Sequence, residues 1–278
     1  AGHDGSTRTT WISGDSNGLL SITGGEVIPG KKEGTNFTNS LLIGHATTGT
    51  LSSASGNTGV GIASLDAVTS GTDNTSLGHN AGSGITTAAR NTFLGKDAGG
   101  VISGASDNVA VGADALAGTG TASSSAYNVA IGSQAMSTSN GARFSVAVGK
   151  DSMRLLQSGD YNIAIGAESA ENLTTGQGNV IIGTNIDAPS ATGDRQLVIA
   201  GYAGDNTTTW ISGDSSGNLV TPGTITANSV VLTGVAADNS ITLAKMASGT
   251  DGNIISYDTS GNPVAVATGS SGQVLTSA

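Results

Sequence analysis

Few side chains in this chain have the chemistry of catalysis or ligation, and their spacing limits what each can do. His45 and His79 lie 34 residues apart. Imidazoles hold a metal ion when their ring nitrogens converge on it. These two stand two repeats apart in one sequence column, so they project to the same side without adjoining. Asp97, Asp114, Asp151 and Glu168 share another column, two residues after the glycine of a recurring motif. Paired carboxylates cleave a glycosidic bond when one is protonated, the other ionised, and their separation is fixed. The same residues also make a solvated acidic edge that resists sideways pairing, which is the reading adopted here. The stretch GEVIPGKK, Gly25 to Lys32, approaches a phosphate-binding loop. It places Lys32 where Ser or Thr is required and Pro29 within the loop. Trp11 and Trp210 either form a sugar-stacking surface contact or pack against their own hairpins. The residues point to no catalytic, cofactor-binding or metal site, and to a protein that is not an enzyme.

Composition narrows the class further. Of 278 residues 44 are Gly and only 3% are aromatic, too few large side chains for a conventional core. Such a chain is either disordered or a repeat structure that packs small residues in register. The formal net charge is -10, which gives no basic footprint for nucleic acid and no attraction to an anionic membrane surface. There is no Cys, so disulfides and thiolate chemistry are excluded. No apolar run is long enough to span a bilayer, and no membrane insertion is expected. The opening AGHDGSTRTT has neither Met nor the charged and apolar regions of a signal peptide, which suggests a processed chain or a fragment.

What must position these side chains is a comb of glycines. Motifs of the type N-V-A-I-G end at Gly44, Gly61, Gly78, Gly95, Gly112, Gly132, Gly149, Gly166 and Gly183. Their spacings are 17 throughout except for one of 20, and a weaker tenth copy ends at Gly201. A fixed period of this kind marks a repeat architecture. The first column holds Asn57, Asn74, Asn91, Asn108, Asn128, Asn162 and Asn179, with Ser40 and Ser145 as exceptions. Stacked Asn side chains either hydrogen-bond along a ladder or cap turns through their own backbone. The residue before each Gly is aliphatic without exception, and the one two earlier is mostly β-branched. That alternation predicts a short strand with both columns on one face. A single 17-residue unit cannot bury that face. Stacking the next copy puts Val on Ile on Leu along a column. A small-residue column three positions after the Gly lets backbones approach closely.

The expected fold is therefore all-β, a repetitive parallel β-solenoid or β-roll with coils of about 17 residues. Nine or ten rungs give roughly 45 Å. The expected division is 1-38, an N-terminal hairpin and connector; 39-201, the solenoid; 202-222, a Trp-containing hairpin; and 223-278, a C-terminal module. Residues 24-38 read as an irregular connection. The extra three residues in LAGTGTASSSAYN read as an enlarged surface loop. TTWISGDSNGLL and TTWISGDSSGNLV read as hairpins that cover the open ends of the solenoid. DNSITLAKMAS reads as a short helix.

The repeats NTSLGHNAG, NVAIGSQAM and NIAIGAESA resemble those of bacteriophage tail fibres and of the head domains of trimeric autotransporter adhesins. The tail ITLAKMASGTDGNIISYDTSGNPVAVATGSSGQVLTSA is similar to phage fibre stalk modules. The resemblance covers Ser40 to Ala278. It implies an elongated parallel homotrimer in the virion, a tail fibre acting as spacer and host-attachment appendage. Its implied partners are its own copies, tail or baseplate proteins, and a host-surface glycan or protein. Alternatives in the same frame are a bacterial trimeric surface adhesin on the cell surface, a capsid-attached head fibre, and a polysaccharide-degrading tail spike.

Overall fold

The structure, a computed structural model, describes residues 2-3, 8-9, 12-14, 20-22, 30-45, 47-118, 124-204, 206-223, 254-257 and 263-266. Every regular element among them is a strand. The chain divides into two compact units, Ala1–Ile225 and Thr226–Ala278.

The first unit is built on one sheet of 14 strands. Its body is ten parallel strands, one per coil: β6 (Phe37–Ile43), β8 (Thr58–Val60), β9 (Thr75–Leu77), β10 (Thr92–Leu94), β11 (Val109–Val111), β12 (Val129–Ile131), β13 (Val146–Val148), β14 (Ile163–Ile165), β15 (Val180–Ile182) and β16 (Leu197–Ala203). Each pairs in register with the next, as in Val146 with Ile163 and Val148 with Ile165. Nine coil spacings at about 4.8 Å span roughly 43 Å. Backbone bonds between coils continue beyond the strands, for example Met136 N–H to the Ser152 carbonyl at 3.0 Å and Met153 N–H to that of Ser169 at 2.9 Å. Coil is thus tied to coil around most of its circumference, which makes the stack stiff along its axis.

Antiparallel strands close both ends of this sheet. At the start β5 (Gly30–Gly34) pairs with β6 through a turn at Asn36, so part of the segment expected as irregular is strand. Pairing along the first coil's exposed backbone edge outweighs the weak strand propensity of GKKEG. A short strand, β7 (Ala54–Ser55), lies beside the beginning of β6. At the far end β17 (Asn206–Gly213) and then β18 (Leu219–Val220) add antiparallel to β16. The GDSSGN turn has the predicted chemistry: Asp214 Oδ1 accepts from the N–H groups of Ser216 and Asn218 at 2.9 and 3.0 Å. Further small antiparallel pairs are β1 (Gly2–His3) with β2 (Arg8–Thr9), and β3 (Ile12–Gly14) with β4 (Leu20–Ile22). In the second unit β19 (Ile254–Tyr257) pairs with β20 (Pro263–Val266). The stretch expected as a helix and the middle of the enlarged loop, residues 119-123, lie outside the described residues.

The direction of the strand faces corrects the sequence reading. The two aliphatic columns point outward: Leu77, Leu94, Ile131, Ile163 and Ile165 are exposed. The residue between them points inward and is fully buried, as Ala110, Ala130, Ala147 and Ala164. A coil of 17 residues is too narrow to hold two branched columns inside. It takes one small residue from the strand and fills the remaining space from the opposite wall with Leu65, Leu116, Met136, Met153, Leu156 and Leu173, all fully buried. Where the inward strand residue is large, the far wall gives way. Phe93 replaces Ala, and Gly99 stands where other coils carry Leu or Met; a Cβ there would lie 2.5 Å from the Phe93 ring. Volume is conserved across the coil, so stacking continues undisturbed.

Candidate functional site

The Asn column is a buried hydrogen-bond ladder. Asn57, Asn74, Asn91, Asn108, Asn128, Asn162 and Asn179 are all essentially without solvent exposure. Asn74 donates to Asn57 Oδ1 from both its backbone N–H and Nδ2, at 3.1 and 3.0 Å. Its Nδ2 also reaches the Ala88 carbonyl at 2.8 Å, near the end of its own coil. Asn91 repeats the pattern on Asn74, Asn108 on Asn91, and Asn179 on Asn162. Both bonds are needed, one joining neighbouring coils and the other closing the corner of each. Ser40 and Ser145 continue the column with Oγ accepting from the N–H of Asn57 and Asn162. Gln196 extends the ladder to one further coil, its Nε2 donating to Asn179 Oδ1 at 3.0 Å. The sequence reading ended the column at Asn179, although a step of 17 more residues leads to Gln196.

The glycine column turns the chain immediately after each strand. Gly44, Gly61, Gly78, Gly95, Gly112, Gly132, Gly149, Gly166 and Gly183 all have φ between 108° and 144°. The residue two positions later is left-handed as well: Asp97, Asp114, Asp151 and Glu168 have φ of 55° to 57°. Asp and Asn tolerate that conformation better than most residues, and this accounts for Asp at three of the four positions. Asp97 Oδ1 accepts from Asn80 Nδ2 at 2.9 Å, and its carboxylate also pairs with the Lys96 ammonium. Asp151 pairs with Lys150, and Glu168 Oε1 lies 3.9 Å from the same ammonium.

The Lys96 bond, and then that of Asn80, hold the Asp97 carboxyl below its ordinary value. A general acid needs the opposite shift. Asp107 is likewise held low, chiefly by its hydrogen bonds from Arg90 at 2.6 and 2.8 Å. Carboxyls with depressed folded-state pKa stabilise the fold above their unfolded value near 3.9, and that contribution is lost as pH falls through the lower folded values. The urea midpoint is therefore expected to be flat from about pH 5 upward and to drop below about pH 4. Both groups are partly exposed, so the effect is modest. A variant with both Asp97 and Asp107 changed to Asn is expected to show a smaller acid drop in the same titration.

His45 is engaged by Thr47 Oγ1 at 3.1 Å and by the Ser64 carbonyl at 2.7 Å, while His79 is exposed. Among the described residues no three His, Asp or Glu converge as metal ligands, and no helix is long and apolar enough to cross a membrane. Trp210 is the extra residue of a bulge in β17, opposite the step between Ile199 and Ala200. Its indole lies over Gly201, where a Cβ would come within 2.7 Å of the ring. It thus packs on its own hairpin and remains 57% exposed. Trp11 lies outside the described residues.

An aromatic site escaped the sequence reading. The residue before each ladder Asn also has positive φ and projects from the outer corner of its coil. On three successive coils it is Tyr127, Phe144 and Tyr161, which are 52%, 43% and 59% exposed. Their rings stack face to face, with centroids 4.9 and 5.1 Å apart and planes within 3° and 6° of parallel. Toward one end the column continues as Asp107 and Arg90, joined by the ion pair already noted; toward the other it continues as Gly178 and Arg195. Beside the rings, Arg143 pairs with Asp160 at 3.0 Å. The signal was present as aromatic letters at spacings of 17, in a column otherwise made of Asn, Gly, Asp and Arg.

These features define the molecule as a parallel β-solenoid with a ladder-lined interior, an outward aliphatic sheet face and an exposed aromatic stack. No family model matches the chain, and no curated protein or solved structure matches it.

Proposed function

We propose that this protein is a structural fibre component of a phage virion, a tail fibre serving as rigid spacer and attachment appendage, and that it works as a homotrimer. The observation that carries the structural part is the unbroken ladder of ten in-register strands with its buried Asn column. Hydrogen bonds repeated at every coil resist bending and stretching, which suits a spacer. The virion assignment rests on the resemblance of the repeats to those of phage fibres. Attachment then works by multivalency, because several fibres convert weak contacts into avidity through effective concentration.

Self-association is supported by the outward sheet face. It presents two columns without a charged residue along roughly 43 Å, in a protein whose net charge is -10. Apolar bands of this extent mark interaction surfaces. Its repeat of one aliphatic residue per coil, beside a second that is aliphatic or Thr, matches a partner with the same repeat, and a second copy of this chain has it. Light scattering of the purified chain is expected to give about three times 26.9 kDa. Changing Leu77 and Leu94 together to Asp, on adjacent coils of that face, is expected to yield a monomer with an unchanged β circular dichroism spectrum. A monomeric wild-type protein overturns the oligomer. Antibody labelling of intact phage particles tests the location: labelling of the tail supports the reading, while labelling of the capsid or of uninfected bacteria replaces it with a head fibre or an adhesin.

A further inference from the structure

The aromatic stack ends at Tyr161, and we propose that the gap beyond it at Gly178 is a binding site for a single pyranose ring of a surface glycan. This deepens the attachment part of the reading above and rests on it. Along the stack each ring face is covered by the next ring, up to Tyr161. The face of Tyr161 that looks toward the following coil meets Gly178, which has no side chain, and Tyr161 is the most exposed of the three at 59%. The column resumes with Arg195, two coils on and about 10 Å from Tyr161. The Arg195 side chain bounds the space beyond Tyr161 from the far side.

The polar surroundings choose the ligand. Arg195 leans over the gap, its Cγ 3.5 Å from where a Cβ on Gly178 would stand, and it forms no ion pair among the described residues. Gln177, next in the chain to Gly178, and Asp194, next to Arg195, are exposed; Asp194 Oδ1 accepts the Gln177 N–H at 2.8 Å. An aromatic face on one side with guanidinium and amide donors and carboxylate acceptors at the rim suits a ring that has a C–H face and hydroxyls around its edge. A pyranose has that form. A nucleic acid strand would stack equally well but would bring phosphates toward a protein of net charge -10.

The geometry supplies an unusually clean blocking variant. Gly178 has φ 66°, while Tyr127, Phe144 and Tyr161 hold the same position in their coils at 61°, 55° and 60°. A Cβ at Gly178 meets nothing nearer than 3.5 Å, so Gly178→Tyr extends the stack and fills the gap with little strain. The probes are methyl β-D-galactopyranoside and methyl β-D-glucopyranoside, observed by saturation-transfer NMR on the full chain. Transfer is expected to the ring C–H protons, with a Kd on the order of millimolar. Gly178→Tyr is expected to abolish it, and Tyr161→Ala to weaken binding about fivefold to tenfold, the worth of one aromatic stacking contact. Absence of transfer to both pyranosides, or transfer unchanged in Gly178→Tyr, overturns the proposal. So does transfer to adenosine or p-cresol without transfer to either sugar. The outcomes stay separate from those for the fibre, which is judged by mass and by antibody location.

Discussion

Replacing Asn91 by Ala is expected to destabilise the solenoid by about 3 kcal/mol, a large loss for one small polar side chain. Asn91 Nδ2 donates to Asn74 Oδ1 at 3.0 Å and to the carbonyls of Ala105 and Ala89 at 3.1 and 3.2 Å. Its Oδ1 accepts both the backbone N–H and Nδ2 of Asn108, each at 3.0 Å. Truncation leaves the Ala105 carbonyl and the Asn108 N–H buried with their side-chain partner gone, and each such group costs about 1 to 3 kcal/mol. The coils above and below are affected together because the ladder is continuous. Asn91→Ser is expected to cost about half as much, since Ser40 and Ser145 occupy the same column and their Oγ atoms accept the next N–H at 2.9 and 3.1 Å. Asn140→Ala, at an exposed position, is expected to be within about 0.5 kcal/mol of wild type. Urea unfolding followed by circular dichroism measures all three. A ladder variant no worse than Asn140→Ala would show that the column is a consequence of stacking rather than a cause of it.

How far the sequence discloses this molecule depends on the property in question. The comb of glycines gives the period, the strand in each period and the parallel register, because these follow from spacing alone. It does not give the facing of the strand. Alternation assigns Val129 and Ile131 to one face and Ala130 to the other, and a hydrophobic rule sends the larger pair inward. The coil reverses this: Ala130 is fully buried and Ile131 is exposed. Which face is the inside depends on the diameter of the coil, and that is set by the turns after the glycine, whose left-handed residues carry no single letter as a mark. Left-handed φ is shared by Asp97, Met136, Tyr161 and Leu65, residues of four different chemistries.

The same limit hid the candidate site. Tyr127, Phe144 and Tyr161 are dispersed among hydrophilic residues, and only the closed coil brings their rings to within about 5 Å of one another. The Trp pair drew the sequence reading because Trp is rare here and repeated. Yet Trp210 packs singly on Gly201 of its own hairpin, whereas Tyr127, Phe144 and Tyr161 stack on one another along a column. The outward aliphatic face and the aromatic corner are separate columns of the same coils. In the proposed fibre, rigidity would come from the inward-facing letters of each repeat and contact from the outward-facing ones.

The glycine column sets the strictest requirement of all, and Gly95→Ala is expected to destabilise the protein by about 3 kcal/mol or more. Two causes act together. Gly95 has φ 137°, a conformation nearly closed to residues with a Cβ. A Cβ there would also stand 2.5 Å from the Gly112 carbonyl oxygen and 2.6 Å from its carbon, against backbone that is itself tied to the next coil. Neither side can yield without moving a neighbour, since Gly112 N–H bonds to Leu94 O at 2.8 Å. Gly141→Ala separates the causes: φ is nearly the same at 134°, but the nearest atom to a Cβ there is the Ser124 hydroxyl oxygen at 3.3 Å. It is expected to show the conformational cost alone, about 1 to 2 kcal/mol. Two parallel unfolding curves, with Gly95→Ala displaced further than Gly141→Ala, would demonstrate that close coil-to-coil contact fixes the letter at this column. Equal displacements would mean that backbone conformation alone does so, and that the coils have slack to accept a methyl group at every step.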